Sequence, residues 1–538
     1  MNKLEALDEK TLLAQLPSLL QHPAPEVRRE TFLRVESLKL KSMLRDAQNG
    51  LAVETAPAVK ESALRALGVI AEDKSQLTSA LNETDVFSLR GALIGLLKYG
   101  NEPSAKQKLN ELLASSSIAD RNLAMEVMGA VQRRDYYPQL ISACDSSATS
   151  RAAGLALVAI GAEAFPEIES AFGESDAPRQ RLLTLARVLS RIGGVKSQTV
   201  LLARISEPDG EARSQILNAL SHSGYRAKDT ATIQRAVKTE VEGAAWVSAA
   251  QVDAGDNAET ALLQTALTQL HAQIRNRVLL LLSFVFDGDS IRRVHEALTA
   301  GPSTQVSYAL EIMDAQLPAD WKKMIMPLLE NLAPLERSGQ LGAFFPQAKR
   351  NRAERLQEIV ENKNLPDWVR ACAVYAAKKG DPAMLSNVEK VLILKSVAMF
   401  SHTPDNVLAD VADLLEELDV AENETIFEKG DTGDSMYVIL DGKVRVHDGE
   451  RLLNYLGERD VFGEMALLDP EPRLASVTAL EATRLFRLDQ APFFELMEER
   501  PEVATGIIRV LTGRLRDRVR DIAQLNERIK ELESGART

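Results

Sequence analysis

From the start of the chain to about residue 385, apolar positions recur at helical spacing inside units that themselves recur. VRRETFLRVESL at Val27 aligns with VKESALRALGVI at Val59, LRGALIGLLKYG at Leu89, DRNLAMEVMGAV at Asp120 and SRAAGLALVAIG at Ser150. The same register returns at Gln180, Ala212, Asn276, Val306 and Val369. The second residues of these segments are 28, 60, 90, 121, 151, 181, 213, 277, 307 and 370; two intervals are double, so weaker units are expected near Ala245 and Ser338. The mean period is about 31 residues, the length of one helix pair. Each unit opens with Asp, Pro or Ser and then an apolar–Arg pair, as in Pro25-Glu26-Val27-Arg28 and Pro366-Asp367-Trp368-Val369-Arg370. Small residues such as Ala63, Ala66, Ala152, Ala156 and Ala219 allow antiparallel helices to approach closely. A single pair cannot bury its apolar face, so the units are expected to stack as an α-solenoid over residues 1–385. The recurring arginine invites a reading as a ligand-binding ladder. Given the architecture, the simpler expectation is that it bridges neighbouring units.

After residue 385 the pattern changes. MLSNVEKVLILKSVAM, residues 384–399, predicts one helix, and 407–418 a second. The apolar period then shortens to two. Strands are expected near 435–440, 443–447 and 451–456, with tight turns at Asp441-Gly442 and Asp448-Gly449, and a last strand at 484–488. Residues 386–515 therefore predict an antiparallel β-roll with flanking helices. Segments 491–499 and 502–533 are again helical, broken at Pro501. In the last segment Ile508, Leu511, Leu515, Arg518, Ile522, Leu525, Ile529 and Leu532 alternate steps of three and four. That seam predicts a homodimeric coiled coil running into residues 516–538, or a helix lying on its own solenoid.

Composition narrows the function classes. At 538 residues the chain exceeds one ordinary core, and with 45% hydrophobic but only 5% aromatic residues it suits stacked helices. A net charge of −13 argues against a general nucleic-acid binder. Cys144 and Cys372 are the only cysteines and lie far apart, which points to no disulfide framework and to the reducing cytoplasm. The opening MNKLEALDEK has no apolar signal core. The most apolar run, 278–286, is far shorter than the roughly 20 residues that span a bilayer and reads as a buried helix. No P-loop and no GxSxG occurs, and the six histidines have no metal-ligand spacing, so neither enzyme chemistry nor a metal is expected.

One stretch carries concentrated chemistry. Phe462 to Val477 reads FGEMALLDPEPRLASV, with Arg473 nine residues after Glu464. Each part has a use if the ligand is a cyclic nucleotide. Gly463 lets backbone come close to a bound group. The Glu464 carboxylate accepts from a ribose hydroxyl and repels phosphate. Met465, Ala466, Leu467 and Leu468 suit one helical turn whose free N–H groups face an anion. Arg473 grips phosphate oxygens with parallel donors, and Leu474, Ala475 and Ser476 follow it in line. Opposite charges retained together in an apolar cleft suggest that Glu464 and Arg473 serve a use.

At these residues the sequence resembles the phosphate-binding cassette of the cyclic nucleotide-binding domain family, which includes the bacterial catabolite activator protein and regulatory subunits of cyclic-AMP-dependent kinase. The flanks agree: Phe427-Glu428-Lys429-Gly430-Asp431, Gly433-Asp434-Ser435-Met436-Tyr437, Leu440-Asp441-Gly442-Lys443-Val444 and Leu456-Gly457. The resemblance implies a roll that binds cyclic AMP, with cyclic GMP as the alternative, at Gly463, Glu464, Met465, Ala466, Arg473, Leu474, Ala475 and Ser476. Arg514 or Arg518 is a candidate lid. Two positions depart from the family pattern. Leu474 stands where a small residue is usual and offers no hydroxyl to a guanine, which favours adenine. Arg459 stands where Gly is usual; a positive φ there would strain it unless the turn is rebuilt. Phe493 and Phe494, after Pro492 at a helix start, are a candidate pivot.

The repeats of residues 1–385 look like short HEAT-type repeats. Similar arrays followed by such a roll occur in soluble portions of bacterial ATP/ADP-carrier-type fusions, which suggests a protein partner such as a membrane transporter and a place at the inner membrane through it. The expected function is a regulatory protein whose solenoid grip changes with nucleotide. The alternative is a constitutive scaffold whose roll no longer binds nucleotide.

Overall fold

The structure, a computed structural model, describes residues 15–100, 102–300, 302–377, 387–401, 403–468, 472–499, 503–509, 512 and 516. The chain condenses into two compact units that divide between Lys228 and Asp229.

In the first unit, the helices Pro25–Leu38, Pro57–Ile70, Val86–Lys98, Ile118–Val131, Ser147–Ile160, Arg179–Ile192 and Gly210–His222 each pack on the next in the row. Shorter helices alternate with them. Local sequence explains where they begin. Pro25 and Pro57 occupy first-turn positions, where the missing N–H has no intrahelical partner to lose. Asp85, Ser117 and Asp209 accept from first-turn amides as N-caps. Small residues set the closest approach: a Cβ added at Gly68 would lie 2.4 Å from Gly95 Cα, so these two helices meet backbone to backbone.

Residues 28, 60, 90, 121, 151, 181 and 213 all fall near the beginnings of these helices. Their arginines bridge neighbouring segments. Arg28 Nε donates to Glu54 at 2.7 Å, and that bond holds the Glu54 carboxyl below its ordinary range. Arg90 reaches Glu61 and Glu126, each at 2.6 Å. Arg181 reaches Asp145 at 2.6 Å and Glu174 at 2.5 Å. These partly exposed pairs contribute at most about 1 kcal/mol each and serve mainly to register one helix pair on the next.

The second unit breaks the period before restoring it. Thr230–Ala254 and Ala261–Ser283 form a long antiparallel pair of 25 and 23 residues. The expected weak unit near Ala245 falls in the middle of the first of these, and Arg277 falls near the end of the second, where it forms a buried ion pair with Glu240 at 3.0 Å. Thr230–Ala254 contains no proline, so nothing in the chain interrupts its helical run. Shorter helices then resume, including Ser303–Gln316, Pro334–Gly342 with Ser338, and Asp367–Ala376. Val278, Leu279, Leu281 and Leu282 are buried, and among the described residues no helix is long and apolar enough to cross a membrane. Cys144 and Cys372 are buried free thiols, each pushed up to about 12 by burial.

The helix Asn387–Ser396, a 3-10 turn at Ala398–Phe400 and the helix Asp405–Ala412 lead into the β domain. The helix expected over 407–418 stops at Ala412, and β1 (Glu416–Val420) occupies its end. Here EELDV alternates, and Leu418 pairs opposite Leu485; cross-strand burial overrides the helical tendency of the two glutamates. The remaining strands are β2 (Thr425–Phe427), β3 (Ser435–Asp441), β4 (Val444–Asp448), β5 (Arg451–Leu456), β6 (Val461–Phe462), β7 (Ser476–Ala479) and β8 (Thr483–Asp489). They form two antiparallel sheets, in the orders β1-β8-β3-β6 and β2-β7-β4-β5. Ile439, Val444, Ala479 and Leu485 fill the space between them, with Tyr437 stacked on Phe462 at 5.1 Å.

The helix Gln490–Glu499 follows β8 without a gap. Its two phenylalanines separate: Phe493 is fully buried and meets Phe400 edge-on at 6.1 Å, whereas Phe494 is 40% exposed. Residues 503–509 are helical, with Ile508 exposed. The seam from Leu511 onward, including Leu515 and Ile522, lies outside the described residues, as do Arg514 and Arg518.

Arg459 resolves one of the departures. Its φ is +68°, so the turn keeps its left-handed residue rather than being rebuilt. Its N–H donates to the Ile439 carbonyl at 2.8 Å. A left-handed L-residue carries a penalty of about 1–2 kcal/mol, part of which glycine returns through its freer unfolded chain. Arg459→Gly is therefore expected to stabilise the β domain by up to about 1 kcal/mol. Thermal unfolding checks this, and a lower Tm would show that the Arg459 side chain has a packing role.

Candidate ligand-binding site

The site is built where the β2–β3 loop meets the segment before β7. Gly430 N donates to the Arg473 carbonyl and Arg473 N donates to the Asp431 carbonyl, both at 2.8 Å. Thr432 forms an antiparallel bridge with Pro472. This backbone clamp gives the Phe427-to-Asp431 stretch a local job, because it fixes the main chain at Arg473. Lys429 N donates to the Ser476 hydroxyl at 2.9 Å, so Ser476 at the start of β7 is part of the same clamp.

The clamp aims the Arg473 side chain inward. Only 8% of the residue is exposed. Nη2 donates to the Ser435 carbonyl at 2.8 Å and Nη1 to the Gly463 carbonyl at 3.3 Å. The guanidinium carbon lies 4.1 Å from the centroid of the Phe427 ring, a cation–π contact. Nε is buried with no hydrogen-bond partner. Among the described residues no carboxylate forms an ion pair with it, and burial lowers its pKa from the ordinary arginine value. The arrangement is thus a desolvated cation held by carbonyl oxygens and an aromatic face. It suits a doubly coordinating anion better than any group supplied by the neighbouring residues.

Two glycines make room. Gly463 has φ +75°, and a Cβ there would sit 2.6 Å from Arg473 Nη1. At Gly433 a Cβ would sit 2.1 Å from Arg473 Nε. Directly after Gly463, the short helix Glu464–Leu468 buries Ala466 and Leu467 and leaves Met465 exposed. Glu464 is half-buried at its first position. Arg473 is received by the carbonyl of Gly463, the residue before Glu464, and not by the Glu464 carboxylate. Leu474 points outward at 70% exposure, and Ala475 is half-buried.

Three contributors escaped the sequence reading in these roles. Phe427 and Gly433 were legible as turn and strand residues, but not as the face and the gap for Arg473. Gln490 carried no signal at all. Its side-chain amide donates to the carbonyls of Ala466 and Leu467, each at 3.2 Å, and its N–H donates to the Asp434 carbonyl at 2.7 Å. The cassette turn is thereby tied to the start of the Gln490–Glu499 helix.

Residues 417–500 match the family described as cyclic nucleotide-binding domain. The chain is 33% identical over 138 residues to the CRP-like cAMP-activated global transcriptional regulator of Mycobacterium tuberculosis, covering 25% of this chain and 62% of that protein. It is 40% identical over 101 residues to the cyclic AMP receptor protein of Thermus thermophilus, covering 18% of this chain and 47% of the relative. It is 28% identical over 163 residues to the cAMP-dependent protein kinase regulatory subunit of Dictyostelium discoideum, covering 29% of this chain and 50% of the relative. The chain therefore spans about half to three-fifths of the length of these relatives. It carries a C-terminal cyclic nucleotide-binding domain of the activator-protein and kinase-regulatory type, attached to a mostly helical remainder.

Proposed function

We propose that this cyclic nucleotide-binding domain takes cyclic AMP, with the phosphate on Arg473 and the ribose on Glu464, and that occupancy changes the hold of the helical region on a protein partner. The protein is then a non-enzymatic regulator, and the helical region, read as HEAT-type repeats over residues 1–385, is its partner-binding part. The observation that carries the ligand reading is the Arg473 guanidinium: buried, unpaired by any described carboxylate, and seated between Gly463, Gly433 and Phe427. The three relatives named above, each with cyclic AMP in its name, support the same nucleotide. Exposed Leu474 has no hydroxyl for a guanine amino group, so cyclic AMP is expected to bind more tightly than cyclic GMP.

A second reading has its own observation. Arg473 already donates to two backbone carbonyls, which is what a roll that retains the cassette only for folding would show. Titration calorimetry of the full chain with both nucleotides separates the two. Saturable binding with cyclic AMP preferred supports the first. No binding of either nucleotide to folded protein overturns the first and leaves the scaffold reading.

Gly433→Ala supplies a test that leaves every charge in place. The added methyl displaces the guanidinium from its seat, so cyclic AMP affinity is expected to fall at least about tenfold, the effect of a lost 1.4 kcal/mol. An unchanged dissociation constant would mean that the observed Arg473 position is not the binding one.

A further inference from the structure

A second group of buried cations lies in the helical part of the second unit, outside the nucleotide-binding domain. His271 and Arg275 are one turn apart on the helix Ala261–Ser283, and Arg337 lies on Pro334–Gly342. His295, on Gly288–Ala300, is half-buried and within reach of the Arg275 charge, which opposes its protonation. His271 is 6% exposed and Arg337 8%, while Arg275 is half-buried. The charges act on one another: Arg337 and Arg275 both push against protonation of His271, and Arg275 against that of Arg337. Burial drives His271 down to about 3 and lowers both arginines from their ordinary value. Burial alone accounts for the Arg275 shift, with no carboxylate opposing it. Glu296 acts on His295.

Hydrogen bonding leaves the same group incomplete. Arg337 Nη2 donates to the Leu332 carbonyl at 2.6 Å, but Arg337 Nε, Arg275 Nε and His271 Nε2 are all buried without a partner. The contrast lies nearby on the same helix, where Arg277 is buried against Glu240. Buried cations are ordinarily paired or hydrogen-bonded, and an unsatisfied buried donor calls for an explanation such as a bound ion. Two guanidinium groups and an imidazole, in a chain whose net charge is −13, make an anion the matching species.

We propose that Arg275, Arg337 and His271 form a binding site for a small oxyanion of the phosphate class. The two guanidinium groups would supply charge and paired donors. His271, neutral with its proton on Nε2, would supply a third donor. Arg275 is the most exposed of the three.

The test is thermal unfolding of the full chain with inorganic phosphate, at constant ionic strength made up with chloride. The wild type is expected to show a saturable rise in Tm of about 2 °C at tenfold excess over half-saturation. Arg275→Gln is the preferred variant, because among the described residues the Arg275 side chain has no hydrogen bond for its loss to break. It should abolish the phosphate-dependent rise and, without phosphate, leave Tm unchanged or higher, since like charge is removed. Arg473→Ala should retain the full rise, which separates this site from the nucleotide cassette and makes its failure independent of the nucleotide reading. An undiminished rise in Arg275→Gln overturns the proposal, as does a rise lost in Arg473→Ala or no saturable rise in the wild type. A Tm that falls in Arg275→Gln without phosphate, with no phosphate effect in the wild type, would assign the cluster a packing role alone.

Discussion

Arg473→Ala is expected to weaken cyclic AMP binding by roughly 30-fold to several thousand-fold while the protein stays folded. Truncating one partner of a buried, hydrogen-bonded charge pair costs about 2–5 kcal/mol, and each 1.4 kcal/mol is about a factor of ten. Much of that loss comes from stranding the nucleotide phosphate in the space lined by Phe427 and Gly463. Stability responds differently. The substitution removes a desolvated cation that has no ion pair among the described residues, but it deprives the Ser435 carbonyl of its donor. These effects oppose each other, so Tm should move little. Calorimetry gives the affinity and circular dichroism the fold. Wild-type affinity in a folded variant would remove Arg473 from the ligand. Arg473→Lys keeps the charge without the planar fork and should fall between the two.

The largest expected effect on stability lies elsewhere. The side chains of Arg277 and Glu240 are 4% and 2% exposed, and Arg277 Nε lies 3.0 Å from both carboxylate oxygens. Glu240→Ala leaves a guanidinium buried against the Thr230–Ala254 helix and should destabilise the second unit by about 3–5 kcal/mol. Urea unfolding followed by tryptophan fluorescence reads this cleanly, because Trp246, Trp321 and Trp368 are the chain's only tryptophans and all lie after Asp229. Replacing both partners, as Glu240→Leu with Arg277→Met, should recover most of the loss, since neither charge is left stranded without the other. A single variant that loses under about 1 kcal/mol would mean that water reaches the pair.

How far the chain could be read in advance depended on the range of the interactions involved. Helix starts were legible because they are local: Pro25, Pro57, Asp85 and Asp209 act on their own first turns. The repeat register placed Arg28, Arg90 and Arg181 near helix beginnings for the same reason. It failed at Ala245 and Arg277, where an uninterrupted helix runs past the expected turn. β1 was hidden because its identity rests on β8, more than sixty residues later; alone, the two glutamates read as helix. In the cassette, the residue types were legible but their partners were not. Glu464 and Arg473 stood out as charged residues in an apolar stretch, but the carbonyls of Ser435 and Gly463 that hold Arg473 are backbone atoms, which no residue type announces. Phe493 and Phe494 show the same limit: adjacent aromatics cannot share one helix face, and only packing on Phe400 decides which goes inside.

The amide of Gln490 has a thermodynamic corollary. By donating to the Ala466 and Leu467 carbonyls, it ties the Glu464–Leu468 turn to the start of the Gln490–Glu499 helix. Linkage is reciprocal, so a ligand that favours one tilt and a protein that docks on the outward face of the helix, around Phe494, would change each other's affinity by the same factor. If the cassette takes nucleotide as proposed, a partner on that face would by the same linkage raise its occupancy at a fixed nucleotide concentration without touching the nucleotide.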